Sequence, residues 1–218
     1  MPKLQDQTVE RNQRKIEDAA RRVFTRQGFH GTSVREIARE AGASIGNLYN
    51  YYPTKEDLFI SVVQRYEEKM EKLRQKALGP IEDPFSPVEL ARLAKVLREI
   101  VYDNPDYWRL MYIDVIEFGS SHFAPTFRSL AQNIKQRFGK KLEAATQRGP
   151  WRGIDPALAF TSIYLQLVTY FLVEKLFGGR QHLGMSDDRA IAQLIRMASE
   201  GIWRGAGRPA GRKRRIRQ

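Results

Sequence analysis

Asn47 and Asn50 stand three residues apart in the stretch SIGNLYNYY, and their carboxamides carry donor and acceptor together. That pairing can bridge two atoms of an adenine edge, with Asn47 also able to reach a phosphate. Gly46 beside them would let backbone approach a groove floor closely. Tyr49, Tyr51, Lys55, Ser33 and Arg35 are better suited to phosphate oxygens, contacts that fix register without reading sequence, and Ser44 belongs to the same surface. Bond-making chemistry finds no comparable constellation. His30, His122 and His182 are scattered and no cysteine occurs, so no metal site, catalytic residue or cofactor is expected. Asp114 and Glu117 could share a helix face as a carboxylate pair, but pairing with a neighbouring arginine is the simpler expectation. No phosphate-cradling glycine loop follows a strand, and the chain is not expected to be an enzyme.

The elements that must position these side chains are all helical, since no segment alternates apolar and polar residues between turn signals. The spacing predicts a helix from about Thr8 to Gly28, with Ile16, Ala19, Ala20, Val23 and Phe24 on one face. A second opens at Ser33, where Glu36 three residues on completes a capping box, and ends at Gly42. Ser44 caps a very short third helix, whose Ile45, Leu48, Tyr49 and Tyr52 should fall inward. Thr54 caps a fourth, Lys55 to about Ala77, with Leu58, Val62, Tyr66, Met70 and Leu73 as its buried stripe. Gly79 to Pro87 is a linker. Beyond it, Ser86-Pro87-Glu89, Asn104-Pro105, Pro125 and Asp155-Pro156 mark further helix starts, and a last helix spans about Asp187 to Ile202. The expected architecture is all-α with about nine helices: a helix-turn-helix domain over 1–54, a larger helical domain over 55–203, and a basic disordered tail over 204–218.

Net charge is +12, and its placement is informative. Residues 1–55 hold ten Lys/Arg against six Asp/Glu, 204–218 hold seven against none, and the remainder is nearly balanced. Clustered cations at both ends favour a polyanionic partner through counterion release. The tail reads either as a nonspecific phosphate tether or as a solubilising segment; Gly207-Arg208-Pro209 matches a minor-groove hook only partly, lacking the arginine before the glycine. Pro156 to Val173 carries no charge for eighteen residues, long enough to consider a membrane span. Thr161, Ser162, Gln166 and Thr169 within it, and amphipathic neighbours, favour a buried core helix, so no membrane partner is expected. The polar N-terminus lacks a secretory apolar stretch, which points to a cytoplasmic protein.

Gly28 to Phe59, GFHGTSVREIAREAGASIGNLYNYYPTKEDLF, strongly resembles the N-terminal domain of the tetracycline-repressor (TetR) family of bacterial regulators. The matches include Gly28-Phe29 ahead of Thr32-Ser33, Ile37-Ala38, Ala41-Gly42, Leu48-Tyr49, and Tyr52 ahead of Thr54-Lys55-Glu56. The resemblance implies a homodimer that binds a palindromic double-stranded DNA operator and is released by a small-molecule effector. It also implies that the last two helices pair with their mates. Apolar stripes support that pairing: Phe160, Ile163, Leu167 and Phe171 on one helix, and Ile191, Leu194, Ile195, Ala198 and Ile202 on the other. For the effector, the aromatic-rich middle of the chain supplies candidates, Tyr66, Met70, Tyr107, Trp108, Met111, Tyr112, Phe118, Phe127 and Tyr164, with His122 and Gln166 as orienting polar groups. Tyr102, Phe123, Trp151 and Thr169 belong to the same pool. A hydrophobic or aromatic small molecule is the expected ligand. An architectural or cell-division DNA-binding protein on the same fold is the alternative reading.

Overall fold

The computed structural model describes residues 2–146, 154–177 and 184–200. Among them nine helices and no strand are found: α1 Pro2–Gln27, α2 Val34–Ala41, α3 Ile45–Tyr51, α4 Lys55–Leu78, α5 Pro87–Asp103, α6 Pro105–Phe118, α7 Ala124–Thr146, α8 Pro156–Leu176 and α9 Asp187–Glu200. Met1, Trp151, His182, Ile202 and the basic tail lie outside the described residues.

Local chemistry sets the boundaries. Gly28, at φ +78°, turns the chain out of α1. Ser33 Oγ accepts from Glu36 N at the start of α2, and Gly42 in the left-handed region ends it. The capping box expected there forms only by half, because the Glu36 carboxylate turns to Arg26 and Gln27 instead. Ser44 caps α3, and Thr54 with Asp57 closes a complete capping box on α4. Proline occupies the first turn of α5, α6 and α8. At α5 the expected cap is absent: Ser86 makes no side-chain cap bond, and Glu89 accepts the amide of Glu82 from the preceding linker.

The first three helices bury Ala19, Ala20, Val23, Phe24, Ile37 and Leu48 against Leu58, Phe59 and Val62 of α4. The same cluster continues without a break through α5, α6 and α8 to Ile195 of α9. α5 packs against α8, α9 and α4, while α7 lies along α8.

Two expectations about faces are corrected. On α3 only Leu48 is fully buried, with Tyr52 at its end and Tyr51 packed on the core's edge; Ile45 is 37% and Tyr49 47% exposed. A seven-residue helix has two turns, so one central residue suffices to anchor it, and Tyr52 adds a hydroxyl bond to Glu17 of α1 at 2.9 Å. On α8 and α9, Phe160, Ile163, Leu167, Phe171, Ile191 and Ile195 are buried inside the chain's own core, with Leu194 and Ala198 packed on its edge. The six buried residues therefore face the chain's own core, while Leu194 and Ala198 stay partly exposed at its edge. Among the exposed residues of α8, Leu158, Ser162, Leu165 and Thr169 form one stripe at helical spacing, flanked by Gln166. α8 is long and apolar enough to cross a membrane by length and composition, and 44% of its most apolar window is buried against neighbouring helices.

Candidate nucleic-acid interface and effector groove

α2 and α3 meet at Gly42, and their outer surface carries Ser33, Arg35, Ser44, Gly46, Tyr49 and Asn50 exposed, with Asn47 and Tyr51 half-buried. Asn47 donates its amide to Ser44 Oγ at 3.1 Å, which pins the first turn of α3. A Cβ built on Gly46 would meet nothing within 4 Å, so the fold itself does not require glycine there. Lys55 differs from the expected phosphate ligand. Its Nζ donates to the carbonyls of Phe29 and Thr32, both at 2.8 Å, and sits 4.3 Å above the Phe29 ring. Two of its three N–H donors thus tie the start of α4 to the turn between α1 and α2. Burial lowers its pKa against the pull of nearby Glu117.

The last turn of α6 joins this reading head to the rest of the chain. Glu117 accepts the amides of Phe29 at 2.9 Å and His30 at 2.6 Å, and also meets His30 Nδ1. Burial would raise its pKa, but these donors outweigh it and hold the carboxyl below its ordinary value. A Cβ on Gly28 would stand 2.7 Å from Glu117 Oε1 and press that carboxylate off its amides, while the positive φ itself favours glycine. Phe118 follows, its ring 4.6 Å from Phe29 and 4.9 Å from Phe59. Asp114, fully buried, accepts the amides of His122 and Phe123 and meets His122 Nδ1 at 2.6 Å, shaping the turn into α7. The arginine expected to pair with Asp114 and Glu117 is in neither place. Backbone amides and histidines take that role, a partnership set by chain reversals that local spacing does not encode.

Between α4, α6, α7 and α8 lies a groove of about 940 Å³. Of the expected ligand residues it gathers Tyr107, Trp108, Phe127 and Tyr164. Met70 and Met111 are buried core, Phe118 belongs to the α6 junction, and Tyr112 and Gln166 face outward. Tyr66 lines a separate recess against α1, and His122 a small one beside Glu67 and Glu68. Sequence reasoning missed the polar wall from α4, Glu67, Glu71 and Arg74, and the apolar wall of Leu130, Ile134, Leu165 and Val168. The repeat of Leu130, Ile134 and Phe138 along α7 was the available signal. Arg74, only 16% exposed, is held by Glu67 at 3.2 Å and Glu71 at 3.1 Å, while Tyr107 Oη donates to Glu67 at 2.7 Å. Burial and that carboxylate push the Tyr107 hydroxyl's pKa well up. No cluster of three metal-ligating side chains occurs among the described residues.

A two-helix reader with an exposed polar face, braced on a larger helical domain, defines a helix-turn-helix DNA-binding transcriptional regulator. Residues 16–62 match the profile of the bacterial regulatory proteins of the tetR family. Over 194 residues, 88% of this chain and 94% of the other, the chain is 31% identical to the uncharacterized HTH-type transcriptional regulator YfiR of Bacillus subtilis. Its likeness to YxaF of the same organism is 36% over 77 residues, only 40% of that protein. Among solved structures, the regulator FadR from Bacillus subtilis in complex with stearoyl-CoA superposes with a TM-score of 0.61 at 17% identity, covering 87% of this chain and 98% of that one. The chain belongs to the TetR family of transcriptional regulators.

Proposed function

We propose that this regulator is a cytoplasmic repressor that binds a palindromic operator as a homodimer and leaves it when an apolar or aromatic small molecule fills the α4–α8 groove. The observation that carries this reading is the path of α4: it begins beside the exposed face of α3 and, about three to six turns later, lines the groove with Glu67, Arg74 and Leu78. A ligand that prefers one setting of α4 and α6 therefore acts on the reading head through Lys55, Glu117 and Phe118. Its effect can be no larger than that preference. Recognition helices of two copies would enter successive major grooves roughly 34–36 Å apart. Asn50, Asn47 and Gly46 face bases, while Ser33, Arg35, Ser44, Tyr49 and Tyr51 hold phosphates. Lys55 acts mainly as a brace. The dimer face is the outer stripe of α8, Leu158, Ser162, Leu165 and Thr169, in place of the stripe the chain buries within itself.

Selection of bound duplexes from a random pool tests the reading directly, a recovered inverted repeat being the expected product. On that repeat, Asn50→Ala should weaken binding about 10-fold or more, in line with roughly 1–3 kcal/mol per bidentate base contact, while binding to random duplex changes little. Equal losses on both would remove the base-reading role of Asn50.

A further inference from the structure

Resting on the groove being the effector site, we infer that its ligand is an apolar molecule ending in a carboxylate, received by the guanidinium of Arg137 where α4 ends. Arg137 is exposed on α7 and lines the groove. Beyond the ring of the adjacent Phe138, 5.9 Å away, it has no hydrogen bond or ion pair among the described residues, whereas Lys141, one turn on, holds Glu82 at 2.7 Å. Its Nη2 lies 3.2 Å from where a Cβ on Gly79 would stand, which sets the guanidinium against the close of α4. The negative end of a helix favours a cation there, yet no carbonyl of that turn takes a bond from it, so its N–H fork stays open. The groove's charges sort along α4. Glu67 and Glu71 flank Arg74, and Glu71 precedes Gly79 by about 12 Å of helix. One turn before Gly79 stands Gln75, and one turn before Arg137 stands Asn133, both neutral amides in the lining. Leu130 and Ile134, on the same face of α7, and Val168 of α8 supply hydrocarbon beside them. One planar carboxylate matches one guanidinium fork. A phosphate's second charge would find no second free cation, because Arg74, the other basic side chain of the lining, already serves two carboxylates. Exposed Glu68 lines the groove on the acidic side, and an amine drawn to it is the competing outcome of the test. A carboxylate drawn onto Arg137 acts on the end of the helix whose start braces the reading head.

Three probes with one apolar body separate the possibilities: 6-phenylhexanoic acid, 6-phenylhexan-1-ol and 6-phenylhexylamine, titrated into the full chain by calorimetry at neutral pH. The acid should bind about 10-fold more tightly than the alcohol, and more tightly than the amine. In Arg137→Gln the acid should fall to the alcohol's affinity while the alcohol's own is unchanged; the side chain is exposed, so the substitution removes no core packing. Added salt should erode the acid's advantage in the unaltered protein and leave the alcohol untouched. An acid advantage that survives in Arg137→Gln, no advantage at all, or a preference for the amine overturns the inference. Leu130→Trp, which fills the groove, should abolish binding of all three. If it does so while the three bind the parent alike, the groove stands as the effector site and the carboxylate alone is lost. Failure of all three to bind the parent, or binding that Leu130→Trp leaves untouched, removes the groove and this assignment with it.

Discussion

Gly46 shows how a single residue can separate folding from recognition. Its missing side chain leaves open space, and its position in the first turn of α3 carries no positive φ, so alanine there should leave unfolding stability equal or slightly raised. If α3 approaches bases through that gap, Gly46→Ala should still weaken operator binding several-fold, as a filter-binding or anisotropy titration would read. Unchanged affinity would place the groove floor elsewhere. Glu117 makes the opposite kind of residue, one whose role is internal. Because its folded pKa lies below the unfolded value, its stabilisation is complete at neutral pH and is lost as pH falls from the unfolded value through the folded one. Glu117→Gln should therefore cost about 1–3 kcal/mol at pH 7, and the gap from the parent should narrow as the solution is acidified, measured by urea unfolding at each pH. A gap constant with pH would mean the amides gain nothing from the carboxylate's charge.

At the scale of elements, helix boundaries were legible because each has a local cause within a few residues: Ser33, Gly42, Ser44, Thr54, Pro87, Pro105, Pro156. Which face of a helix turns inward was legible only where the helix is long. α1 and α4 offered many turns of apolar stripe and buried those residues, with Tyr66 and Leu73 only partly covered. α3 offered two turns, and Ile45 and Tyr49 fell outside. α8 defeated the reading for the contrary reason: apolar on nearly every side, it contains no contrast from which a dimer stripe can be told from a core stripe. The groove's polar wall was illegible because Tyr107 reaches Glu67 and Arg74 of α4 only through tertiary packing, 40 and 33 residues away along the chain. The α6 junction belongs to this class too. Phe118→Ala, which removes the ring lying on Phe29 and Phe59, should destabilise the chain by about 3–5 kcal/mol. A thermal or denaturant melt showing less than about 1 kcal/mol would mean that ring is dispensable.

For the molecule as a whole, the outer stripe of α8 is where assembly must be judged. Leu158 is 62% and Leu165 39% exposed, a costly surface for an isolated chain and an ordinary one for a twofold interface. Leu158→Glu, outside the groove, should shift the sedimenting species from dimer to monomer and lower operator affinity at least 10-fold, with the helical content of the chain unaltered. A dimer that persists would move the interface to another face. The rings of Phe29, Phe59 and Phe118 come from the α1–α2 turn, α4 and α6, yet they fit one another at centroid spacings of 4.6 to 5.6 Å. Grafting this reading head onto a relative's body would therefore transplant two-thirds of a lock without its key. Chimeras of such regulators would keep their responsiveness only when the final turn of α6 travels with the head.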